Sequence, residues 1–326
     1  MACFKPLTAF QTESGEVVFN EVGNIRRELS LPCGQCIGCR LERSRQWAVR
    51  CMHEAQMHEY SCFITLTYDD ESVPVDGSLR YSDYQQFMKR LRARATRARQ
   101  RRLRGNTVKE LRHESDIGRN DERCLFSERE IRFYMAGEYG ETTGRPHFHA
   151  ILFGVFFADR TPIGRSPAGD DLFTSATLAD VWNRGHVSLG DANFKTAAYV
   201  ARYCCSKVTG ELADEHYKRV SSDGEVYWIQ PEFNHMSLKP GIGVPWFKKF
   251  WRDVYPSDTV IVNGRECKPP KSYDRLLRET DGFLADDVEY RRYKESMRHA
   301  VDNTRQRLAA REECAKARNS FKRRGL

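Results

Sequence analysis

His147 and His149 bracket Phe148 at the start of the apolar run "HFHAILFG". In an extended strand alternate side chains share a face, so both imidazoles point one way and Phe148 points the other. Two imidazoles on one face can grip one ion. The preceding run "IRFYMAGEYG" supplies a carboxylate partner. The segment "EYGETTGRP", with its glycines and proline, reads as a hairpin loop centred near Thr142 or Thr143, and that register sets Glu138 opposite His147. Glu141, on the loop itself, is a rival third ligand. Imidazole suits zinc, copper, iron and nickel, whereas carboxylate and water suit magnesium and manganese, so ligand types alone leave the metal open. An ion held in this way, with open positions, would act as a Lewis acid on a phosphoryl oxygen.

Downstream, "AAYVARYCCSK" spaces Tyr199, Tyr203 and Lys207 four residues apart, along one face of a helix. Tyrosines at this spacing ordinarily fill a core. Here Arg202 and Lys207 give the helix a cationic edge, and the ligand set upstream gives a phenol something to work with. A free phenol has a pKa of roughly 10, so a nucleophilic tyrosine needs help. Neighbouring positive charge favours the phenolate, and a metal-polarised phosphate lowers the barrier from the other side. Phosphoryl transfer to tyrosine would leave a covalent phosphotyrosine that keeps the energy of the broken phosphodiester for rejoining.

A second cluster lies near the start of the chain. Cys33, Cys36 and Cys39 form C-x2-C-x2-C, a spacing that wraps a structural zinc ion when Cys3 or His53 completes the tetrahedron. Iron–sulfur clusters use similar spacings, but no electron-transfer motif accompanies this one. Cys51, Cys62, Cys124, Cys204, Cys205, Cys267 and Cys314 show no such pattern and read as packing residues. Eleven cysteines is an odd number, and with no export signal at the start of the sequence it points to reduced thiols rather than a disulfide framework.

These residues need elements to hold them. Short strands are expected up to about Pro32, then a helix from Arg40 carrying Leu41, Trp47, Val49, Cys51 and Met52, then the strand "CFITLTY". A helix is expected over "SDYQQFMKRLRARATRARQRRLR", with Ser82 as its N-cap candidate. Nine Lys or Arg and no acid fall in the sixteen residues from Lys89, the mark of a phosphate-contacting helix more than of a merely solvated face. Arg97, Arg101 and Arg104 are its candidate phosphate contacts. The hairpin, a helix and short strand in "SATLADVWNRGHVSLGDAN", and the tyrosine helix closed by Gly210 complete an α+β order. A charged helical tail follows. The tryptophans belong more naturally to a core than to a base-stacking platform. The expected divisions are 1–58, 59–256 and 257–326.

Composition sets wider bounds. The chain has 326 residues, 53 Lys and Arg against 45 Asp and Glu, a net charge of +8 and a pI near 8.9, a balance that favours an anionic partner. The longest apolar run, "HAILFGVFFA", is about half of what a membrane-spanning helix needs, so a membrane partner is not expected and a cytoplasmic location is.

The strand "CFITLTY", His147-Phe148-His149 after "GEYG" and the helix "YVARY", in that order, resemble the three motifs of the His-hydrophobic-His (HUH) replication initiators. The likeness is greatest to the rolling-circle replication proteins of small single-stranded DNA phages, the microviruses and especially their gokushovirus branch, which "CGQCIGCR", "GRPHFHAILFG" and "MSLKPGIG" resemble in wording as well as order. It covers roughly Cys3 to Pro256. The resemblance implies a ferredoxin-like antiparallel sheet and a magnesium or manganese ion on His147, His149 and Glu138. It also implies that Tyr199 and Tyr203 are paired nucleophiles and that a strand containing Thr65 and Thr67 helps to shape the DNA site. Related two-tyrosine initiators often carry a lysine three positions after the second tyrosine. This chain has Ser206 there, with Lys207 one step later. The implied activity is nicking and rejoining of one DNA strand at a phage origin in the infected bacterial cell. Its partners would be single-stranded DNA and the origin, with host replication machinery as a further candidate. Two other readings stand beside it: a plasmid initiator, relaxase or transposase with the same chemistry, and a non-catalytic zinc-containing DNA-binding protein.

Overall fold

The computed structural model describes residues 3–107, 124–126, 130–140, 142–166, 169–203, 212–221 and 223–324, leaving aside the side chains of 101–107, 125, 203 and 321–324. In chain order the elements begin with β1 (Leu7–Thr12), β2 (Val17–Val18), β3 (Ile25–Leu31), α1 (Ile37–Ala55), β4 (Ser61–Tyr68), α2 (Tyr81–Thr107), β5 (Cys124–Phe126), β6 (Arg132–Tyr139) and β7 (Pro146–Phe153). There follow β8 (Val155–Phe157), β9 (Arg160–Arg165), β10 (Asp171–Ser175), α3 (Ala176–Trp182), β11 (Gly185–Asp191), α4 (Phe194–Tyr203), α5 (Leu212–Tyr217), β12 (Lys218–Val220), β13 (Val226–Trp228) and β14 (Phe233–Met236). The chain ends with α6 (Val244–Val254), β15 (Val260–Val262), β16 (Arg265–Cys267), α7 (Lys271–Thr280), α8 (Gly282–Arg298) and α9 (Arg305–Arg324). They form two compact units. One holds Met1–Gln46, Arg252–Val260 and Glu266–Leu326, and the other Trp47–Trp251 with Ile261–Arg265.

The larger unit is a mixed α/β structure built on a seven-stranded antiparallel sheet, in the order β14-β6-β7-β4-β11-β10-β9. β4, α2 and β6 make a split βαβ unit with β7 lying between its two strands. In β4 the residues Ile64, Leu66 and Tyr68 alternate with Phe63, Thr65 and Thr67, and this period of two sorts the strand onto two faces. On one face Ile64, Leu66, Met135, Phe148 and Leu189 pack with Phe87 and Leu91 of α2 and with Leu178 and Trp182 of α3. On the other, Phe63, Tyr134, Ala136, Ile151 and Phe153 pack with Ala48 and Cys51 of α1 and with Ala197, Val200 and Ala201 of α4.

Part of the basic helix is used inside the protein. Arg90 of α2 donates to the carbonyls of Val181 and Trp182 at 2.7 and 2.8 Å, serving the exposed acceptors at the C-terminal end of α3, and Arg94 pairs with Asp180 at 2.8 Å. The acids missing from the basic run are therefore supplied from elsewhere in the chain. Ser82 lies one residue inside the helix start rather than at its cap.

Glu54 of α1 is fully buried, its Oε1 accepting from Arg132 at 2.6 Å and lying 3.2 Å from His58, and its Oε2 accepting from the Gly243 amide at 2.7 Å. Arg132 also donates to the Pro240 carbonyl at 2.6 Å, so the turn "KPGIG" is tied to the sheet through this pair. Burial by itself would raise the Glu54 pKa, but hydrogen bonds from His58 and Gly243 together with the Arg132 charge outweigh it and hold the carboxyl below its ordinary range.

Two sequence expectations need correction. Trp228 is 57% exposed on β13 and belongs to no core, because the two-stranded β12-β13 ribbon has no layer over it among the described residues. Cys314 is exposed on α9, while Cys51, Cys62 and Cys124 are buried as expected; Cys204 and Cys205 lie outside the described residues.

In the smaller unit β2-β1-β3 form an antiparallel sheet. Arg45 of α1 grips Glu42 through two nitrogens, at 2.6 and 2.8 Å, and donates to the Lys268 carbonyl at 2.9 Å. Arg292 of α8 bridges Asp258 and Asp274. Tyr273 and Leu277 of α7 are buried, as are Ala285 and Val288 of α8. No helix among the described residues is long and apolar enough to cross a membrane.

Glu54→Gln leaves Arg132 buried without its counter-charge and is expected to cost about 3–5 kcal/mol in urea unfolding. Because the folded pKa is depressed, the contribution of Glu54 is present above the ordinary carboxylate pKa and is lost as pH falls through the folded value. The stability difference between parent and variant should accordingly shrink on acidification.

Candidate metal and tyrosine site

The β6–β7 hairpin pairs Glu138 with His147 and Ala136 with His149. Its loop is closed by Gly140 N donating to Arg145 O at 3.0 Å and Gly144 N donating to Gly140 O at 2.8 Å, with Gly144 at φ +63°, a left-handed conformation natural to glycine. On the other side β4 pairs Thr67 with His147 and Thr65 with His149. Two rows thus run across three strands on one face: Thr67, His147 and Glu138, then Thr65, His149 and the small Ala136.

Glu138 Oε1 lies 2.9 Å from His147 Nε2 and 2.5 Å from His149 Nε2, and one ligand atom from each of the three residues falls within 4.8 Å of the others. Glu138 is 3% exposed and His149 6%. The second carboxylate oxygen, Oε2, is buried with no hydrogen-bond partner among the described residues, a costly state for a charged acceptor. His147 Nδ1 donates to the Arg145 carbonyl at 3.0 Å, which directs the Nε2 lone pair toward Glu138. Thr65 Oγ1 lies 2.9 Å from His149 Nδ1.

Burial would raise the Glu138 pKa, but hydrogen bonds from His147 and His149 overcome it and keep the carboxyl below its ordinary range. Burial would lower the His147 pKa, yet the bond to Glu138 reverses the shift upward; for the more deeply placed His149 burial prevails and the shift is downward. An ionised carboxylate, two convergent imidazole nitrogens and an orphaned buried oxygen together make a donor set suited to a divalent cation. Glu141, the rival ligand, lies outside the described residues.

Tyr199 arrives from α4. The start of that helix is fixed by reciprocal bonds, Thr196 N donating to Asn193 Oδ1 at 3.0 Å and Asn193 N to Thr196 Oγ1 at 2.9 Å. Its phenol oxygen is 3.4 Å from His149 Nε2, and its ring stands edge-on to His149, with centroids 5.0 Å apart. Phe63 stacks on the other side of His149 at 5.6 Å and meets Tyr199 edge-on at 6.2 Å. Tyr203 ends the helix, its side chain outside the description, and Lys207 lies outside the described residues. Arg97 is exposed on α2, and Arg101 and Arg104 lie further along it. Phe63 was missed by the sequence reading, although its two-residue spacing from Thr65 and Thr67 marks it as facing the same way.

The four cysteines also converge. Cys3, Cys33, Cys36 and Cys39 bring their sulfurs within 4.8 Å of one another, with Cys3 3.6 Å from Cys33 and 3.9 Å from Cys36. A tetrahedron with metal–sulfur bonds of ~2.3 Å has edges of about 3.8 Å, so the spacing fits a four-thiolate site. Backbone amides donate to three of the sulfurs: Cys33 N to Cys3, Cys36 N to Cys33 and Phe4 N to Cys36, each at 3.3 Å. Burial works against ionising Cys36, but the amide and thiol hydrogen bonds outweigh it and bring its pKa down to about 6, while burial together with the charge of Cys36 pushes Cys39 up to about 12. Thiolates this close repel one another unless a cation lies between them. His53, the other candidate fourth ligand, is instead stacked on Trp246 at 3.5 Å, and burial lowers its pKa to about 3.

The fold and these two ligand sets define a mixed α/β protein with one thiol-rich and one histidine–carboxylate candidate metal centre, the latter with a tyrosine at its edge. The family described as replication-associated protein ORF2 matches residues 61–208, a span that contains the whole histidine–tyrosine cluster. The chain is 30% identical to the replication-associated protein VP4 of Bdellovibrio phage phiMH2K, over 84% of this chain and 76% of that protein. It is 27% identical to the replication-associated protein ORF2 of Spiroplasma virus 4, over 91% and 88%, and 26% identical to the replication-associated protein ORF4 of Chlamydia phage 1, over 80% and 56%. No solved structure matches it. The chain belongs to the microvirus-type phage replication-associated proteins, and its role lies in phage replication.

Removing a ligand should expose the metal chemistry directly. In a DNA-free Mn2+ titration followed by electron paramagnetic resonance, His147→Ala and Glu138→Gln are each expected to abolish the tightest Mn2+ site, whereas Glu59→Gln, elsewhere on the chain, should leave it unchanged.

Proposed function

We propose that the chain is a metal-dependent, site-specific single-strand DNA endonuclease and strand transferase of the two-tyrosine HUH type, which starts rolling-circle replication at a phage origin in the cytoplasm of the infected bacterium. The observation that carries this reading is the Tyr199 phenol 3.4 Å from His149 Nε2, at the edge of the Glu138–His147–His149 cluster. The split βαβ arrangement supports it, because β4, α2, β6, β7, α3 and β11 follow the connection order of a ferredoxin-like sheet.

In this reading Glu138, His147 and His149 hold a magnesium or manganese ion, which when bound supplies Lewis-acid polarisation of the scissile phosphate. Phe63 and Ile151, buried on the same face, shield the inner side of the ligands from water. Tyr199 directs its phenol oxygen at the phosphorus. As the new O–P bond forms, the bond from phosphorus to the 3′ oxygen breaks, the phenol proton leaves, and the departing alkoxide takes up a proton to become the 3′-hydroxyl that primes synthesis. The 5′ phosphate stays on the tyrosine. Tyr203, one helical turn further on, cleaves the regenerated origin after a round of synthesis, and the released 3′-hydroxyl attacks the first phosphotyrosine to close a circle. Lys207 supplies the positive charge that favours a phenolate. Thr67 at the site, and Arg97, Arg101 and Arg104 on α2, contact the DNA, and host replication machinery takes over the primer. The cysteine cluster holds a structural zinc ion that folds the segment around Cys3 and Cys33.

A Tyr→Phe change removes the nucleophilic oxygen and keeps the ring. With an origin oligonucleotide and Mn2+, each of Tyr199→Phe and Tyr203→Phe is expected to retain one-step nicking on a denaturing gel without completing a full round, and the double variant is expected to form no covalent adduct. A folded double variant that still becomes attached to DNA would overturn the mechanism. For the cysteines, purified protein should hold about one zinc per chain, and Cys36→Ser should lower zinc content and melting temperature together. Folded, active protein without zinc would remove that assignment.

A further inference from the structure

We propose that Thr65 is a positioning residue for the metal ligand His149, its hydroxyl selecting the imidazole tautomer that can bind a cation, rather than a DNA contact. This rests on the metal reading of Glu138, His147 and His149 given above. Strand register places Thr65 directly across from His149, and Oγ1 lies 2.9 Å from Nδ1. The ring has little room to choose another orientation, because Phe63 stacks on it and Tyr199 stands edge-on to it.

The two histidines are oriented by different means. His147 Nδ1 faces the Arg145 carbonyl, which only accepts, so its tautomer is settled by the backbone. His149 Nδ1 faces a hydroxyl, which can donate or accept by rotating. Without an ion, Nε2 of His149 lies 2.5 Å from the Glu138 carboxylate and is best protonated there, so Nδ1 accepts from the threonine hydroxyl. With an ion present, Nε2 must offer its lone pair, so the proton belongs on Nδ1 and the same hydroxyl turns to accept it. A hydroxyl serves both forms without moving the ring. A carbonyl or an amide N–H would serve one and oppose the other. Thr67 provides a contrast within the same strand: it is paired with His147, whose Nδ1 contact comes from the Arg145 carbonyl.

The test measures metal affinity in the absence of DNA. In Mn2+ titration calorimetry of the full chain, Thr65→Val is expected to weaken binding by about 10–100-fold, the usual cost of losing an outer-sphere partner. Thr65→Ser should stay close to the parent, and Thr67→Val should leave Mn2+ affinity unchanged. Single-stranded DNA affinity measured in EDTA should be the same for Thr65→Val as for the parent. Parent-like Mn2+ affinity in Thr65→Val would overturn the proposal, and a loss of DNA affinity in EDTA would return Thr65 to the DNA surface. If Thr65→Val does not fold, the imidazole 15N shifts of His149 in the parent and in Thr65→Ser decide: protonated Nδ1 with Mg2+ present supports the proposal, and protonated Nε2 overturns it. Absence of any Glu138-dependent Mn2+ binding in the parent chain would instead sink the metal reading, and the proposal with it.

Discussion

The register between β6, β7 and β4 is the constraint on which the site depends. Because side chains alternate strictly along a strand, a slip of one residue in β7 would turn Phe148 toward α4 and bury both imidazoles among Phe87, Leu91 and Trp182. The apolar residues oppose that slip. Phe148, Ala150 and Leu152 are committed to one face, and Ile151 and Phe153 to the other. The polar cluster is thus held in place by hydrophobic packing on both sides of the sheet, and its own hydrogen bonds need supply only the last few tenths of an ångström.

That division explains what could be read from the sequence. A period of two groups His147 with His149, and glycines in "EYGETTGRP" mark the hairpin that brings Glu138 across from His147; both follow from local geometry. The helices at α1, α2, α3 and α4 follow likewise from their spacing. What the sequence did not disclose depends on contacts between distant segments. β14 joins the sheet beside β6, and β9 and β10 extend its far edge, although each is too short or too polar to announce its pairing partner. The choice between Cys3 and His53 was likewise open in the sequence, since only the folded chain shows which of them approaches the knuckle. Trp228 misled because an aromatic residue in a short strand carries no mark of whether a second layer covers it.

Charge is arranged with similar economy. A run of nine basic residues suggests a uniform cationic surface, yet Arg90 and Arg94 are engaged with α3, and the exposed Arg97 lies further along the same helix. Buried charge follows a stricter rule. Glu54 has Arg132, His58 and an amide around it, whereas Glu138 retains one oxygen with nothing described to meet it. The contrast separates a carboxylate completed by the protein from one whose coordination is left incomplete.

The face of α4 that meets the sheet carries Ala197 and Ala201, and the strand beneath it carries Ala136. Side chains this short let the helix backbone settle low over the strands, and that height determines how far the Tyr199 oxygen stands from His149. Helices separated from a sheet by leucine or phenylalanine ride several ångströms higher. The three alanines therefore act as a spacer gauge: they contribute little to stability through their own area, but they set the working clearance between the phenol and its neighbours to within the thickness of a methyl group.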